Sequence, residues 1–265
     1  MKTNTLKQRL KSGQPTFGTW LSLGELMAAR ILARMGFDWL TVDVEHSAVD
    51  WSQVAVLVAA IADAGCVPLV RVPSGTHRDI KRALDAGAWG IVVPMVDTVD
   101  QAKEIIAAAK FPPVGTRSLG SFVAALSFDA VPQDYFARGN DEIIVVLQTE
   151  SPLGIANAEE IYRLPGLDAI FVGPADLRAR LTGPDGQPAT DADLDAAIEQ
   201  VIAIGKATAT PTGMHVMDAA TAKRRAAQGM QFIAVGSDVR FMSTEATATV
   251  KALKAGADVV AKVSY

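Results

Sequence analysis

Residues 39–71 read WLTVDVEHSAVDWSQVAVLVAAIADAGCVPLVR, and this stretch holds one complete strand–helix–strand unit. Trp39–Val42 is a short aromatic and β-branched run, and Trp51–Ala64 is rich in Ala and Val with apolar residues at helical spacing. Gly65 supplies the left-handed residue that closes a last helical turn, and Val67–Val70 opens the next strand. Polar residues gather directly after each strand: Asp43, Glu45 and His46 after the first, Arg71 after the second.

The same unit recurs along the chain. Strands are predicted at Thr16–Trp20, Trp39–Val42, Val67–Val70, Gly90–Pro94, Ile143–Gln148, Ala169–Val172, Ala207–Thr210 and Phe232–Val235. Helices are predicted at Gly24–Met35, Trp51–Ala64, Thr76–Ala86, Thr98–Lys110, Ile155–Arg163, Asp191–Ile204, Asp218–Gln228 and in a terminal segment near Val239–Val263, with Gly36, Gly65, Gly87, Gly205 and Gly229 as stops. Eight alternations over roughly 250 residues have the rhythm of a TIM (β/α)8 barrel, here one domain over residues 1–265. An open doubly wound sheet is the alternative, but Leu21-Ser22-Leu23-Gly24 after the first strand lacks the G-x-G-x-x-G phosphate cradle. Two connections break the rhythm. Phe111 to Asp141 has the length of a lid, binding loop or subunit contact, and Thr182 to Asp191 reads as a surface loop.

Composition narrows the function. With 265 residues, 49% of them apolar and 20% charged, the chain can bury a large core, which excludes disorder. A net charge of -4 with scattered basic residues excludes a nucleic-acid footprint. The longest apolar run, Val54–Ala62, is too short to cross a bilayer, and Met1–Gly13 has no apolar signal core, so a cytoplasmic location is expected. The single cysteine, Cys66, excludes a disulfide framework and a multi-thiolate zinc site.

In a barrel the chemistry belongs at the carboxyl ends of the strands. Glu150 and Asp176 follow neighbouring strands and offer two hard oxygen ligands for Mg²⁺ or Mn²⁺, with Co²⁺ a third candidate; spacing alone fits solvated loop acids equally well. Arg71 leaves its strand toward the same end and needs an anionic partner, whereas His46 and Asp85 read by themselves as ordinary polar residues. Gly173-Pro174-Ala175 offers backbone donors at a predicted helix amino terminus, and a plain turn fits the same residues. No lysine falls at a strand's carboxyl end, which counts against a Schiff-base mechanism.

The chain resembles the class II pyruvate aldolases of the HpcH/HpaI family. The resemblance rests on Gly36–Leu40 leading to Asp43-Val44-Glu45-His46, on Val70-Arg71-Val72-Pro73, Val93-Pro94-Met95-Val96 and Pro112–Arg117, and on Gln148-Thr149-Glu150, Phe171–Leu177 and Ala234–Asp238, in that order. It implies a barrel of the phosphoenolpyruvate/pyruvate type with an exchanged or packed C-terminal helix, and a homo-oligomer, with a hexamer as the expected form. It further implies a metal held by Glu150 and Asp176, with Gln148 supporting that shell, and a 2-oxo acid carboxylate received by the backbone of Gly173, Pro174 and Ala175. Arg71 would face the ketone oxygen, His46 and Asp85 would form an acid/base pair, and Trp20 would line the pocket. The activity implied is reversible carbon–carbon bond formation between a 2-oxo acid, pyruvate or hydroxypyruvate, and an aldehyde. A citrate-lyase-β-like CoA-ester lyase and a non-catalytic metal- or 2-oxo-acid-binding barrel are the alternatives. The family tends to be apolar near strand seven, whereas this chain has Thr208–His215, so His215 or Thr212 is expected to contact a polar acceptor or a hydroxylated donor; a surface or interface position for His215 fits the sequence equally well. Arg117 is expected either at a pocket shared between subunits or on the surface.

Overall fold

The computed structural model describes residues 1–120, 122–183 and 186–254. Its strands β1 (Thr16–Leu21), β2 (Trp39–Asp43), β3 (Val67–Arg71), β4 (Gly90–Val93), β5 (Ile144–Thr149), β6 (Ala169–Val172), β7 (Thr212–Val216) and β8 (Phe232–Ser237) pair in parallel and in chain order. β8 returns to β1 and closes the barrel, as the strand rhythm predicts.

Helix α1 (Thr5–Lys11) precedes the barrel. Outside the strands lie α2 (Leu26–Leu32), α3 (Trp51–Asp63), α4 (His77–Asp85), α5 (Val99–Ala109), α6 (Phe122–Ser127), α7 (Pro132–Glu142), α8 (Pro152–Ala156), α9 (Ala158–Tyr162), α10 (Pro174–Arg180), α11 (Asp191–Thr208), α12 (Ala219–Ala227) and α13 (Asp238–Leu253). Local chemistry sets their starts. Asp50 accepts from the Ser52 and Gln53 amides while Gln53 reaches back to Asp50, a capping box repeated by Thr98 and Gln101 at α5.

The barrel interior is filled by rings. Trp39 stacks on Phe232 with centroids 4.1 Å apart, and Phe171 meets Phe232 edge-on at 5.8 Å. Gly18 has no side chain because the Trp39 indole occupies the place where its Cβ would stand. Residues of one parity therefore point inward on each strand, and the last inward residues face the carboxyl-end mouth.

Three differences from the sequence reading have physical causes. Strand seven is Thr212–Val216 and not Ala207–Thr210; α11 runs on to Thr208, and Lys206 is helical. Gly205 misled the reading because it lacks a side chain for packing and not for capping: Thr212 Cγ2 fills the space its Cβ would take, and the left-handed cap is Ala209 at φ 56°. The long connection carries α6, packed on α3 and α4, and α7, packed on α6. Its Arg117 is fully buried, with the guanidinium 4.4 Å from the Phe111 ring, 3.0 Å from Tyr135 Oη and 2.9 Å from Asp85, so it is neither a surface group nor a pocket group in this chain. The predicted terminal helix extends beyond Leu253, and its part after residue 254 lies outside the described residues.

Helix α1, unforeseen in the sequence, closes the amino-end mouth. Asn4 donates to the carbonyls of Glu142 and Trp89, and Lys7 donates to the Ile143 carbonyl at 2.8 Å and pairs with Asp168 at 3.0 Å. Lys110 also donates to the Ile143 carbonyl, and burial pushes its pKa down to about 7. An unfolded lysine keeps its proton to roughly pH 10.4, so folding releases a proton between those values and stability rises with pH across that window. Glu45 and Glu150 slope the other way near pH 7, so the measurement is the difference in urea stability between the unaltered protein and Lys110→Met. That difference should grow in favour of the unaltered protein from pH 7 through 8 to 9, by at most about 1.4 kcal/mol per pH unit.

Candidate active site

Parallel register places the last residue of β2 directly opposite the last residue of β3, which makes Asp43 and Arg71 neighbours. Arg71 donates through Nε and Nη2 to the two carboxylate oxygens of Asp43, at 2.9 and 2.7 Å. This bidentate geometry fixes the guanidinium plane. Asp43 has no solvent exposure, and its Oδ1 also accepts the amides of Glu45 and His46, turning the following loop back over the barrel mouth. Glu45 Oε2 thereby comes 3.3 Å from Arg71 Nη1 and 3.7 Å from His46 Nε2. His46 stands at the rim, its side chain 58% exposed.

Arg71 also rests on Trp20, with its guanidinium carbon 4.6 Å from the ring centroid. The β1–β8 register shifts between Gly18 and Trp20, a local irregularity of the kind that re-aims a side chain. The Trp20 ring meets Phe171 edge-on at 5.5 Å and His215 edge-on at 6.3 Å. His215 is half-buried, which overrides a surface position, and its Nε2 lies 3.0 Å from the Gly236 carbonyl. Thr212 has the opposite parity and packs toward α11 at Gly205, so it is not a pocket residue.

Across the mouth, Glu150 follows β5 and is almost fully buried. Its Oε2 accepts the Met95 amide at 3.1 Å, and its Oε1 accepts from Gln148. Met95 takes φ 60° to aim that amide, a left-handed conformation costing roughly 1–2 kcal/mol. The carboxylate lies against Gly173, where any Cβ would overlap Glu150 Oε1. Gly173 caps α10, Pro174 begins it, and Ala175 and Asp176 complete its first turn, where amides have no earlier helical acceptor.

Burial pushes the pKa of Glu150 up to about 7, and the neighbouring charges of Asp176 and Glu45 push the same way against the Met95 amide and Arg71. Burial likewise raises Glu45 to about 7, opposed by Arg71 and reinforced by Asp43 and Asp176. Four carboxylates thus share the neighbourhood of one guanidinium, which Asp43 already occupies. The buried Oε1 of Gln148 has no protein partner, so it too is suited to an added ligand. Among the described residues no group of three or more His, Cys, Asp or Glu could hold an ion, so any cation here would have few protein ligands.

The structure gathers Trp20, Arg71, Gln148, Glu150, Gly173, Asp176 and His215 around one mouth, with His46 at its edge. It does not bring Asp85 to His46. Helix α4 runs from the carboxyl ends of the strands to the amino ends, so Asp85, its last residue, lies at the far end of the barrel, bound to Arg117. The reading of these two residues as an acid/base pair is therefore not met within one chain. Asp43 and Glu45 were visible as polar residues after a strand but were not assigned to the site; the Asp43–Arg71 register, a sheet property, is what reveals them.

The HpcH/HpaI aldolase/citrate lyase family model matches residues 16–244. A hydroxypyruvate/pyruvate aldolase from Deinococcus radiodurans is 38% identical over 92% of this chain and 87% of its own length. A 2-keto-3-deoxy-L-rhamnonate aldolase from Klebsiella pneumoniae is 37% identical over 89% of this chain and 88% of its own. The crystal structure of an HpcH/HpaI aldolase/citrate lyase family protein from Burkholderia cenocepacia superposes with a TM-score of 0.88 at 36% identity, covering 96% of this chain and 100% of that one.

Removing one member of the buried Asp43–Arg71 pair leaves an uncompensated charge. Arg71→Ala should lose about 3 kcal/mol of stability in urea denaturation. The Asp43→Asn/Arg71→Ala double variant should lose much less than the sum of its single variants; strict additivity would show that the pair is not coupled.

Proposed function

The chain belongs to the HpcH/HpaI aldolase/citrate lyase family and is an aldolase, a carbon–carbon lyase; we propose that it joins the enolate of a 2-oxo acid, pyruvate or hydroxypyruvate, to an aldehyde with the help of a divalent cation. The products are 4-hydroxy-2-oxo acids, and cleavage is the reverse path. The observation that carries this reading is the buried Glu150 carboxylate, crowded by Asp176 and Glu45, beside a guanidinium locked in place by Asp43 and Trp20.

Glu150 and Asp176 would hold the cation, Mg²⁺ or Mn²⁺ by their oxygen chemistry, while Gln148 and the Met95 amide fix Glu150. When bound, the cation polarises the ketone and acidifies C3. Arg71 faces the ketone oxygen and stabilises the charge that develops there, and its rigid fork needs no reorganisation as that charge grows. The first-turn backbone of α10, from Gly173 through Pro174 and Ala175 to Asp176, receives the substrate carboxylate. His46, at the rim, carries the proton to and from the reacting atoms. Within one chain its carboxylate neighbour is Glu45. Asp85 reaches a His46 only if a second copy brings the end of its α4 there.

The reading extends to assembly. Helix α13 buries only Asp238 and leaves Phe241, Met242 and Leu253 exposed, while α2 exposes Met27 and Ile31, with Met35 exposed in the turn that follows it. Helix α13 packs on β1 and β8 of its own barrel, with Phe241 stacked on Phe37, and these remaining exposed faces support a homo-oligomer in which a second copy covers them, with a hexamer as the form the resemblance suggests. No described helix is long and apolar enough to cross a membrane; a cytoplasmic location remains part of the proposal.

Solvent deuterium should enter the pyruvate methyl group with Mg²⁺ or Mn²⁺ present and stop entering with a chelator. Glu150→Gln should slow that exchange at least 100-fold. Exchange that survives the chelator, together with borohydride trapping of pyruvate on the protein, would replace this mechanism with a Schiff base. The buried lysines Lys7 and Lys110 sit at the opposite mouth and are not placed for that role. Met242→Glu should lower the molar mass seen by light scattering, and an unchanged mass would remove the α13 interface.

A further inference from the structure

We propose that His215 reads a hydroxyl group on C3 of the 2-oxo acid, so that the site favours a 3-hydroxylated donor over its unsubstituted analogue. The inference deepens the aldolase reading and rests on it.

Four observations converge on this residue. Gly213 and His215 share the inward parity of β7, and His215 is its last inward residue, opposite Ala234 of β8. The Gly236 carbonyl can only accept, so at 3.0 Å the imidazole Nε2 carries the proton. Nδ1 is then the accepting nitrogen of a neutral ring, and burial, with Arg71 and Arg240 nearby, holds its pKa below the ordinary histidine value. The ring also stands edge-on to Trp20, whose face carries the Arg71 guanidinium at 4.6 Å.

Trp20 is therefore a shared spacer between the group assigned to the ketone oxygen and His215. In a 2-oxo acid C3 is bonded to the ketone carbon, so a substituent on C3 extends from the Arg71 side of this wall. Trp20 and Phe171 supply apolar surface, which a methyl group satisfies and a hydroxymethyl group does not. His215 supplies the hydrogen-bond acceptor on that wall. A site built to accept a hydroxyl discriminates against an analogue lacking it far more strongly than an apolar pocket discriminates by size.

The test uses C3–H exchange into deuterated water without any aldehyde, which removes the acceptor from the measurement. Hydroxypyruvate and pyruvate are compared, with the metal present, for the full-length protein and for its His215→Leu and His215→Asn variants. His215→Leu should lower the hydroxypyruvate-to-pyruvate ratio of kcat/KM at least tenfold, and His215→Asn, which keeps an accepting oxygen, should recover part of that ratio. An unchanged ratio in His215→Leu overturns the proposal, as does an equal fall for both substrates in both variants, which would mark a purely structural residue. A ratio that holds while preference among hydroxylated aldehydes changes would move the contact to the acceptor and likewise overturn it. If the unaltered protein exchanges neither substrate, the aldolase reading itself fails, an outcome distinct from all of these.

Discussion

The bidentate pair between Asp43 and Arg71 is the constraint on which the mouth of this barrel depends. It joins the ends of two adjacent strands, and a buried aspartate with no exposure could not stand there without the guanidinium. The same carboxylate holds two loop amides, so one side chain sets the plane of Arg71, the return of the loop and the position of Glu45. Trp20 supports the guanidinium from below. Arg71 is thus fixed before any substrate arrives, which is the condition under which a charge stabilises a transition state most effectively.

Opposite this fixed cation, negative charge is in excess. Glu45 and Glu150 are both driven toward neutrality by burial and by each other's surroundings. Left-handed backbone at Met95 and the missing side chain at Gly173 serve one purpose, which is to seat the Glu150 carboxylate where solvent cannot relieve it. A site arranged in this way gains from a cation more than an exposed pair of acids would, because desolvation has already occurred in the fold. The chain's own residues therefore supply a reason for a divalent ion beyond its resemblance to other proteins.

The two mouths of the barrel divide the labour between chemistry and stability. At the amino end, α1, Lys7, Lys110 and Asp168 tie the chain's first residues to β5 and β6. Arg117, Tyr135 and Asp85 anchor the long connection to the end of α4. These buried ionic groups lie at the opposite end from Arg71, so their conspicuous charges are structural within one chain. Residues of identical chemistry thus take different roles according to which end of a strand or helix they occupy.

Strand rhythm, helix caps and the polar residues after each apolar run were legible in the linear chain, because periodicity and turn chemistry are local. They fixed the barrel and marked Arg71, Gln148, Glu150 and Asp176 as strand-end groups, whereas Trp20 and His215 were singled out by comparison with the family, strand seven having been placed at Ala207–Thr210 instead of Thr212–Val216. Gly205 could not be read the same way, since its small size answers Thr212 across a helix–strand contact and no local pattern records that. The separation of Asp85 from His46 and the bonding of Asp43 to Arg71 likewise emerged only from tertiary structure. Helix direction decides which mouth a terminal residue reaches, and sheet register decides which strand ends touch; both are relations between distant segments, set by closure of the barrel.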